Sequence, residues 1–495
     1  METAGNRSTQ TDRATTQTST DALYSMLPSV HELLLSSAVA ERMKSSGHAR
    51  AVETIRGLLE RIRREIGKGL HSSSTLKKLV NELPAQIAEE MGHSNPLSLR
   101  PVINATGVLL HTNLGRAPLS RAAIDHMVEI ATGYSNLEFD LERGDRGKRD
   151  VHVEALLLAL LGGTAETKLY GTHRAIVVNN CAAATFLALR ALAQGKQVIV
   201  SRGELVEIGG GFRIPEILQE SGAALREVGT TNRTRVADYE NAITSETALI
   251  LRVHQSNFSM EGFVERPRLE DLIALGRRRG LRVFEDQGTG LVVPLESPGA
   301  RGETTLASSI AKGCDLVAAS GDKLLGGPQC GILVGTKDII DCIRQNPLFR
   351  AFRADKLNYA ALEATLVQYL YGDPESIPVV RMLHVPEDEL RRRSEGIASA
   401  LKDPLLTAEV VRMESVIGGG TAPKSKLPSY GIALMHARLD ASTLLRALRQ
   451  FDPPIIARIE DDRVRIDLRT VEPESDLVFV AALSHVLDPR MTDEK

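Results

Sequence analysis

The 495-residue chain is 42% hydrophobic and 25% charged, with a net charge of −3. That is the make-up of a globular protein long enough for roughly two to four domains. Its longest apolar runs, such as Ala155 to Leu161, fall far short of the roughly 18 residues a membrane helix needs, so no membrane partner is expected. The charge balance excludes a surface coated in basic residues but leaves room for a local nucleic-acid site. Cys181, Cys314, Cys330 and Cys342 form no Cys-x-x-Cys pair; they read as reduced thiols of a cytoplasmic enzyme, with neither disulfides nor a metal.

In chain order, residues 1–22 are rich in Ser, Thr and Gln and lack large apolar side chains, as in a disordered tail. Residues 23–95 read as a helical domain. Ser29 is placed to cap a first helix ahead of an acidic turn. Val52, Ile55, Leu59, Ile62 and Ile66 recur at steps of three and four, one apolar helix face. The remaining surface is basic: Arg42, Lys44, Arg50, Arg56, Arg61, Arg63, Arg64, Lys68, Lys77 and Lys78 stand against Glu41, Glu53, Glu60 and Glu65, an excess of about six positive charges. Such a run is either a solvated helix face or a surface for an anionic macromolecule.

Residues 96–372 change texture. Short β-branched runs at Ala175, Gln197, Ala248, Leu281, Asp315 and Gly331 alternate with helical segments, which predicts a mostly parallel α/β sheet buried on both faces. A helix around Tyr359–Tyr371 leads through Pro374 and Pro378 to residues 373–495, a smaller α+β domain with strands at Tyr430 and Arg463 and a helix over Ala441–Gln450.

Ligands of such sheets sit at the carboxyl ends of the strands, and three strand ends carry complementary groups. Asp286, in Glu-Asp-Gln-Gly-Thr-Gly, is placed to pair with a protonated pyridine nitrogen; a turn-capping role is the alternative. Lys323, in Ser320-Gly-Asp-Lys-Leu-Leu-Gly-Gly, enters a desolvated site where a lowered pKa favours imine formation. Ser320 is placed for a phosphate, and Gly326 and Gly327 permit close backbone approach. Asn180, Cys181 and Ala182 open a helix of small residues whose free amides suit an anion. The order phosphate turn, Asp, Ser-x-x-Lys points to a fold-type I pyridoxal-phosphate enzyme.

Four longer strings carry a more specific likeness. Ile103-Asn-Ala-Thr-Gly-Val-Leu-Leu-His-Thr-Asn-Leu-Gly-Arg116, Ser201-Arg-Gly-Glu-Leu-Val-Glu-Ile-Gly-Gly-Gly-Phe-Arg213, Glu227-Val-Gly-Thr-Thr-Asn-Arg-Thr and Ser320-Gly-Asp-Lys-Leu-Leu-Gly-Gly-Pro-Gln resemble the bacterial L-seryl-tRNA(Sec) selenium transferases, the selenocysteine synthases. The likeness runs from about Leu27 to Leu487. It implies an aspartate aminotransferase-like fold and pyridoxal phosphate on Lys323 over Asp286. It also implies conversion of seryl-tRNA(Sec) to selenocysteinyl-tRNA(Sec), by loss of the β-hydroxyl as water and addition of selenium from selenophosphate to an aminoacrylyl-tRNA. On the same pattern Arg116, Arg350 and Arg353 are catalytic candidates for holding selenophosphate, since guanidinium forks match its oxygens; a surface salt-bridge pair is the alternative for the last two.

His254 and Asn257 follow a strand and are candidates for the cofactor ring or its hydroxyl, with structural hydrogen bonding equally open; His111 is ambiguous in the same way. The basic helical domain resembles the family's tRNA-binding domain, with Arg56, Arg61, Arg63 and Arg64 as contacts. A homo-oligomer is implied, a dimer at least and a decamer built as a ring of five dimers. Two departures from the family pattern are Gln287 and Thr289 after Asp286, and a short extra stretch near Thr167–Arg174. The rival reading is a paralogous lyase acting on a small amino acid or amino sugar phosphate without tRNA, which would not need the basic domain. A catalytically silent tRNA-binding protein would not need Asp286, Ser320 and Lys323 together.

Overall fold

The computed structural model describes residues 22–93, 97–162, 169–209, 211–292, 294, 303–401, 404–423 and 425–486. Of the tail expected over residues 1–22, residues 1–21 lie outside them, as do residues 163–168. The chain divides into two compact units, Met1–Arg100 and Pro101–Lys495.

The first unit is helical, with helices Val30–Leu34, Ser37–Ser46, His48–Gly67 and Ser73–His93. Ser29 and Glu32 cap each other reciprocally at its start, satisfying two amides that the first turn leaves free. On His48–Gly67, Ala51, Ile55, Leu58, Leu59, Ile62 and Ile66 are buried, and Val52 is only half-buried at the edge of that face. They pack with Leu76, Leu83, Ile87 and Met91 of the last helix. Because the core of so small a unit is shallow, one cavity is felt throughout it. Leu59→Ala is expected to cost roughly 2–5 kcal/mol, read in the full chain as faster amide exchange across these four helices only.

The second unit is built on a seven-stranded sheet. Its strands lie in the order His173–Val178, Gly331–Thr336, Leu316–Ser320, Arg282–Asp286, Thr247–Val253, Gln197–Ser201, Ala224–Val228. All pairings are parallel except those of Gly331–Thr336, which runs antiparallel to both neighbours. Successive side chains on a strand face opposite sides, and the two cores divide accordingly. Ala175, Val177, Ile199, Ile250, Val283 and Val317 pack on one face; Ile176, Val178, Val198, Leu249, Phe284 and Leu316 pack on the other. This double burial explains why the strands read as continuous apolar runs.

A second, five-stranded sheet runs Arg458–Glu460, Arg463–Asp467, Lys426–His436, Leu406–Gly418, Val108–Leu110. Its last strand pairs in parallel with Leu406–Gly418, and Ile103–Asn104 pairs in parallel with Ile455–Ile456. The segment 103–110, assigned by sequence to the large domain, thus pairs with C-terminal strands, Val108–Leu110 in the five-stranded sheet and Ile103–Asn104 in a separate two-stranded one. The chain passes through these C-terminal pairings before entering the large sheet, and on the way Arg116 meets Asp322 in the loop after Leu316–Ser320.

Candidate active site

Parallel strands deliver their carboxyl ends to one edge of the sheet, and the candidate residues collect there. A cavity of about 320 Å³ is lined by Arg116, Asn180, Cys181, Ala182, His254, Ser256, Asp286, Gln287, Ser320 and Lys323, among others, within the range of small-molecule and cofactor sites.

Asp286 is the last residue of its strand and is buried. Thr185 Oγ1 donates to its Oδ2 at 2.9 Å, and Cys181 Sγ lies 3.7 Å from Oδ1. Burial pushes its carboxyl above the ordinary value, against the Thr185 hydrogen bond and the charge of Lys323. Lys323, also buried, donates from Nζ to the Gly420 carbonyl at 3.3 Å. Burial depresses its amine, Arg116 adds to the effect, and Cys181, Asp286 and Asp322 oppose it. The turn after Asp286 packs tightly against the Lys323 loop: a Cβ on Gly290 (φ +72°) would stand 2.1 Å from the Ser320 carbonyl, a position only glycine fills.

Asn180 caps the helix Cys181–Ala193, its side chain accepting from the Ala183 amide. The helix therefore starts on the cavity wall, where first-turn amides have no carbonyl four residues back. Ser320 lies on the same wall, but its hydroxyl donates to Asp322 Oδ1 at 2.7 Å. The helix start is thus the freer anion site.

Asp322 in turn holds Arg116, Nη1 to Oδ2 at 2.7 Å. Arg116 has φ 64°, a left-handed conformation that costs a non-glycine residue roughly 1–2 kcal/mol. The ion pair and a backbone bond to the His111 carbonyl hold it there. Strain kept at such a position is typical of a functional site.

Several expectations need correction. Asn257 does not line the cavity; its amide donates to the Glu207 carbonyl at 2.8 Å, and Ser256 takes its place on the wall. His254 does line it, with Nε2 3.1 Å from Glu303. Arg350 and Arg353 are absent from this cavity. Nor do they share a helix face, because the helix covers only Leu348–Ala351 and Arg353 forms an antiparallel bridge with Val178. Arg353 instead lines a separate cavity of about 240 Å³ with Arg146, Arg149 and Arg344, where it and Arg149 both pair with Glu138. Sequence reasoning missed Thr185, Asp322 and Gly420, although all three stand inside or close to segments that carry recognised site residues.

The residues present fit pyridoxal phosphate. A buried carboxylate retains acceptor capacity beyond its one hydroxyl and one thiol partner, an amine of depressed pKa lies in the same cavity, and a helix start faces it for the phosphate. Among the described residues no group of His, Cys, Asp and Glu is arranged to hold a metal ion. In the helical unit, Arg56, Arg61, Arg63 and Arg64 are all exposed, on a helix whose apolar face is turned inward.

Comparison with known proteins adds identity to this geometry. The family model described as L-seryl-tRNA selenium transferase (SelA) matches residues 102–472. The chain is 47% identical over 422 residues to the L-seryl-tRNA(Sec) selenium transferase of Aquifex aeolicus (strain VF5), covering 85% of this chain and 90% of the relative. It is 44% identical over 466 residues to the protein of that name from Caldanaerobacter subterraneus subsp. tengcongensis, covering 94% and 98%. Among solved structures, D-glucosaminate-6-phosphate ammonia-lyase superposes with a TM-score of 0.55 at 20% identity, over 81% of this chain and 97% of that one. That likeness speaks for the fold alone. The architecture shared with that protein is a mostly parallel α/β sheet buried on both faces.

Proposed function

The chain belongs to the L-seryl-tRNA selenium transferase family, and from that premise we propose that it converts L-seryl-tRNA(Sec) to L-selenocysteinyl-tRNA(Sec), using pyridoxal phosphate on Lys323 and selenophosphate as selenium donor. The observation that carries this reading is the meeting of Lys323, Asp286 and the Asn180–Ala182 helix start in one cavity.

When bound, the cofactor supplies an electron sink for the pair left at the seryl Cα as its proton departs. Asp286 would hold the ring nitrogen, and the amides opened by Asn180, Cys181 and Ala182 the phosphate, with Ser320 beside them. Lys323 has the second task of moving protons. A buried amine of lowered pKa takes the Cα proton and returns one to the leaving β-hydroxyl, which departs as water. His254 stands beside Asp286 on the adjacent strand end, and its backbone amide donates to the Asp286 carbonyl. Arg116 presents a guanidinium to the same cavity for an incoming selenophosphate.

Arg350 and Arg353 join this site only in an assembly, where a second subunit brings them to the Lys323 cavity. Exposed Tyr134, Phe139 and Leu141, next in sequence to the Arg146–Arg149 segment, favour such a homo-oligomer. A dimer is the smallest form and a decameric ring the expected one. The arginines of the helical unit are assigned to the tRNA backbone. Among the described residues no helix is long and apolar enough to cross a membrane; the site of action assigned to the enzyme is the cytoplasm.

The test supplies purified protein with seryl-tRNA(Sec) and selenophosphate and omits each in turn. Selenium is expected on the tRNA only when both are present. Turnover of free serine or an amino sugar phosphate, with the charged tRNA left untouched, would establish the lyase reading instead.

A further inference from the structure

Thr185 lies on the helix Cys181–Ala193 among Ala183, Ala184, Leu187 and Ala188, all buried; it is itself 1% exposed. A buried helical threonine ordinarily satisfies its hydroxyl on the carbonyl one turn back. Thr365 does so here, donating to the Ala361 carbonyl at 2.7 Å. Thr185 instead directs its proton across 101 residues of sequence to Asp286 Oδ2 at 2.9 Å. A hydroxyl on an otherwise apolar helix face, bonded to a carboxylate that lines the cavity, has no packing reason to be there: valine would fill the same volume.

We propose that Thr185 is a positioning residue that keeps Asp286 ionised and oriented towards a cationic ring nitrogen. The inference rests on the cofactor reading given above. Among the described residues, the titratable groups facing Asp286 are Cys181 from the same helix as Thr185, Lys323 from the loop after the neighbouring strand, and His254 from the adjacent strand end. Burial favours the neutral acid, and the Thr185 bond is the foremost influence favouring the anion. Without that bond the carboxyl protonates at higher pH. Cofactor binding through an ionised Asp286 weakens as pH falls through that point, so in Thr185→Val the loss of affinity begins at a higher pH than in the wild type.

The experiment titrates full-length apoprotein with pyridoxal phosphate by absorbance across a pH series, for wild type, Thr185→Val and Thr185→Ser. A hydrogen bond to a charged group is worth roughly a tenfold to hundredfold change in affinity. That loss is expected for Thr185→Val at the acidic end, shrinking as pH rises, while Thr185→Ser, which keeps the hydroxyl, stays at wild type. Should the valine variant misfold, Thr185→Ala removes the hydroxyl without adding a methyl and is held to the same expectation. Wild-type affinity at every pH in the valine or alanine variant, or a loss that does not vary with pH, would overturn the proposal. Failure of the wild type to bind the cofactor at all would instead overturn the cofactor reading.

Discussion

Lys323→Ala is expected to lower selenocysteinyl-tRNA formation by at least roughly a thousandfold, because one side chain both anchors the cofactor and moves the proton at Cα. The protein should still fold. Lys323 makes one described hydrogen bond, to the Gly420 carbonyl, and its removal relieves a buried amine that burial already disfavours. Lys323→Arg is expected to fare no better, since a guanidinium stays protonated and forms no imine with the cofactor. The measurement is the rate of selenium incorporation under single-turnover conditions, with circular dichroism as the folding control. Activity within tenfold of wild type in either variant would remove Lys323 from the mechanism.

The second large effect concerns the helical unit. Arg56, Arg61, Arg63 and Arg64 are exposed on one helix, and none makes an ion pair with a described residue. Neutralising all four to alanine leaves the buried face of Ile55, Leu59 and Ile62 untouched. Every arginine that no longer neutralises a phosphate lowers the dependence of log affinity on log salt by roughly 0.7–0.9. The quadruple variant is therefore expected to bind the tRNA on the order of a hundredfold more weakly at low salt, with a visibly flatter salt dependence. Its cofactor absorbance should be unchanged. Equal affinity and an equal salt slope would show that the basic face is merely solvated.

How far these residues were legible follows from the kind of partner each has. Asp286 and Lys323 could be read because one ends a buried apolar strand and the other lies three residues past the end of the next, and both are followed by glycines, a local pattern set by the chain's own geometry. Asn180 could be read because a cap acts on amides three residues away. Thr185 and Asp322 could not be singled out: what distinguishes them is a partner 101 or 206 residues distant, and no periodicity encodes that. The same holds for residues 103–110, whose parallel partners lie some three hundred residues later in the chain. Arg350 and Arg353 show the opposite hazard. A spacing of three suggests a shared helix face, but the helix stops at Ala351 and Arg353 turns to Val178 and Glu138. The left-handed Arg116 follows Gly115, which is also left-handed; the glycine was visible in sequence, whereas the strain beside it was not.

One amine in one cavity carries the chemistry, so the most direct measurement locates the cofactor. Protein loaded with pyridoxal phosphate is reduced with borohydride, digested and mapped by peptide mass. A single cofactor-bearing peptide is expected, the one containing Ser320-Gly-Asp-Lys323, with the modification on Lys323. A modification on another lysine, or none on a protein that nonetheless makes selenocysteinyl-tRNA, would refute the role given to Lys323.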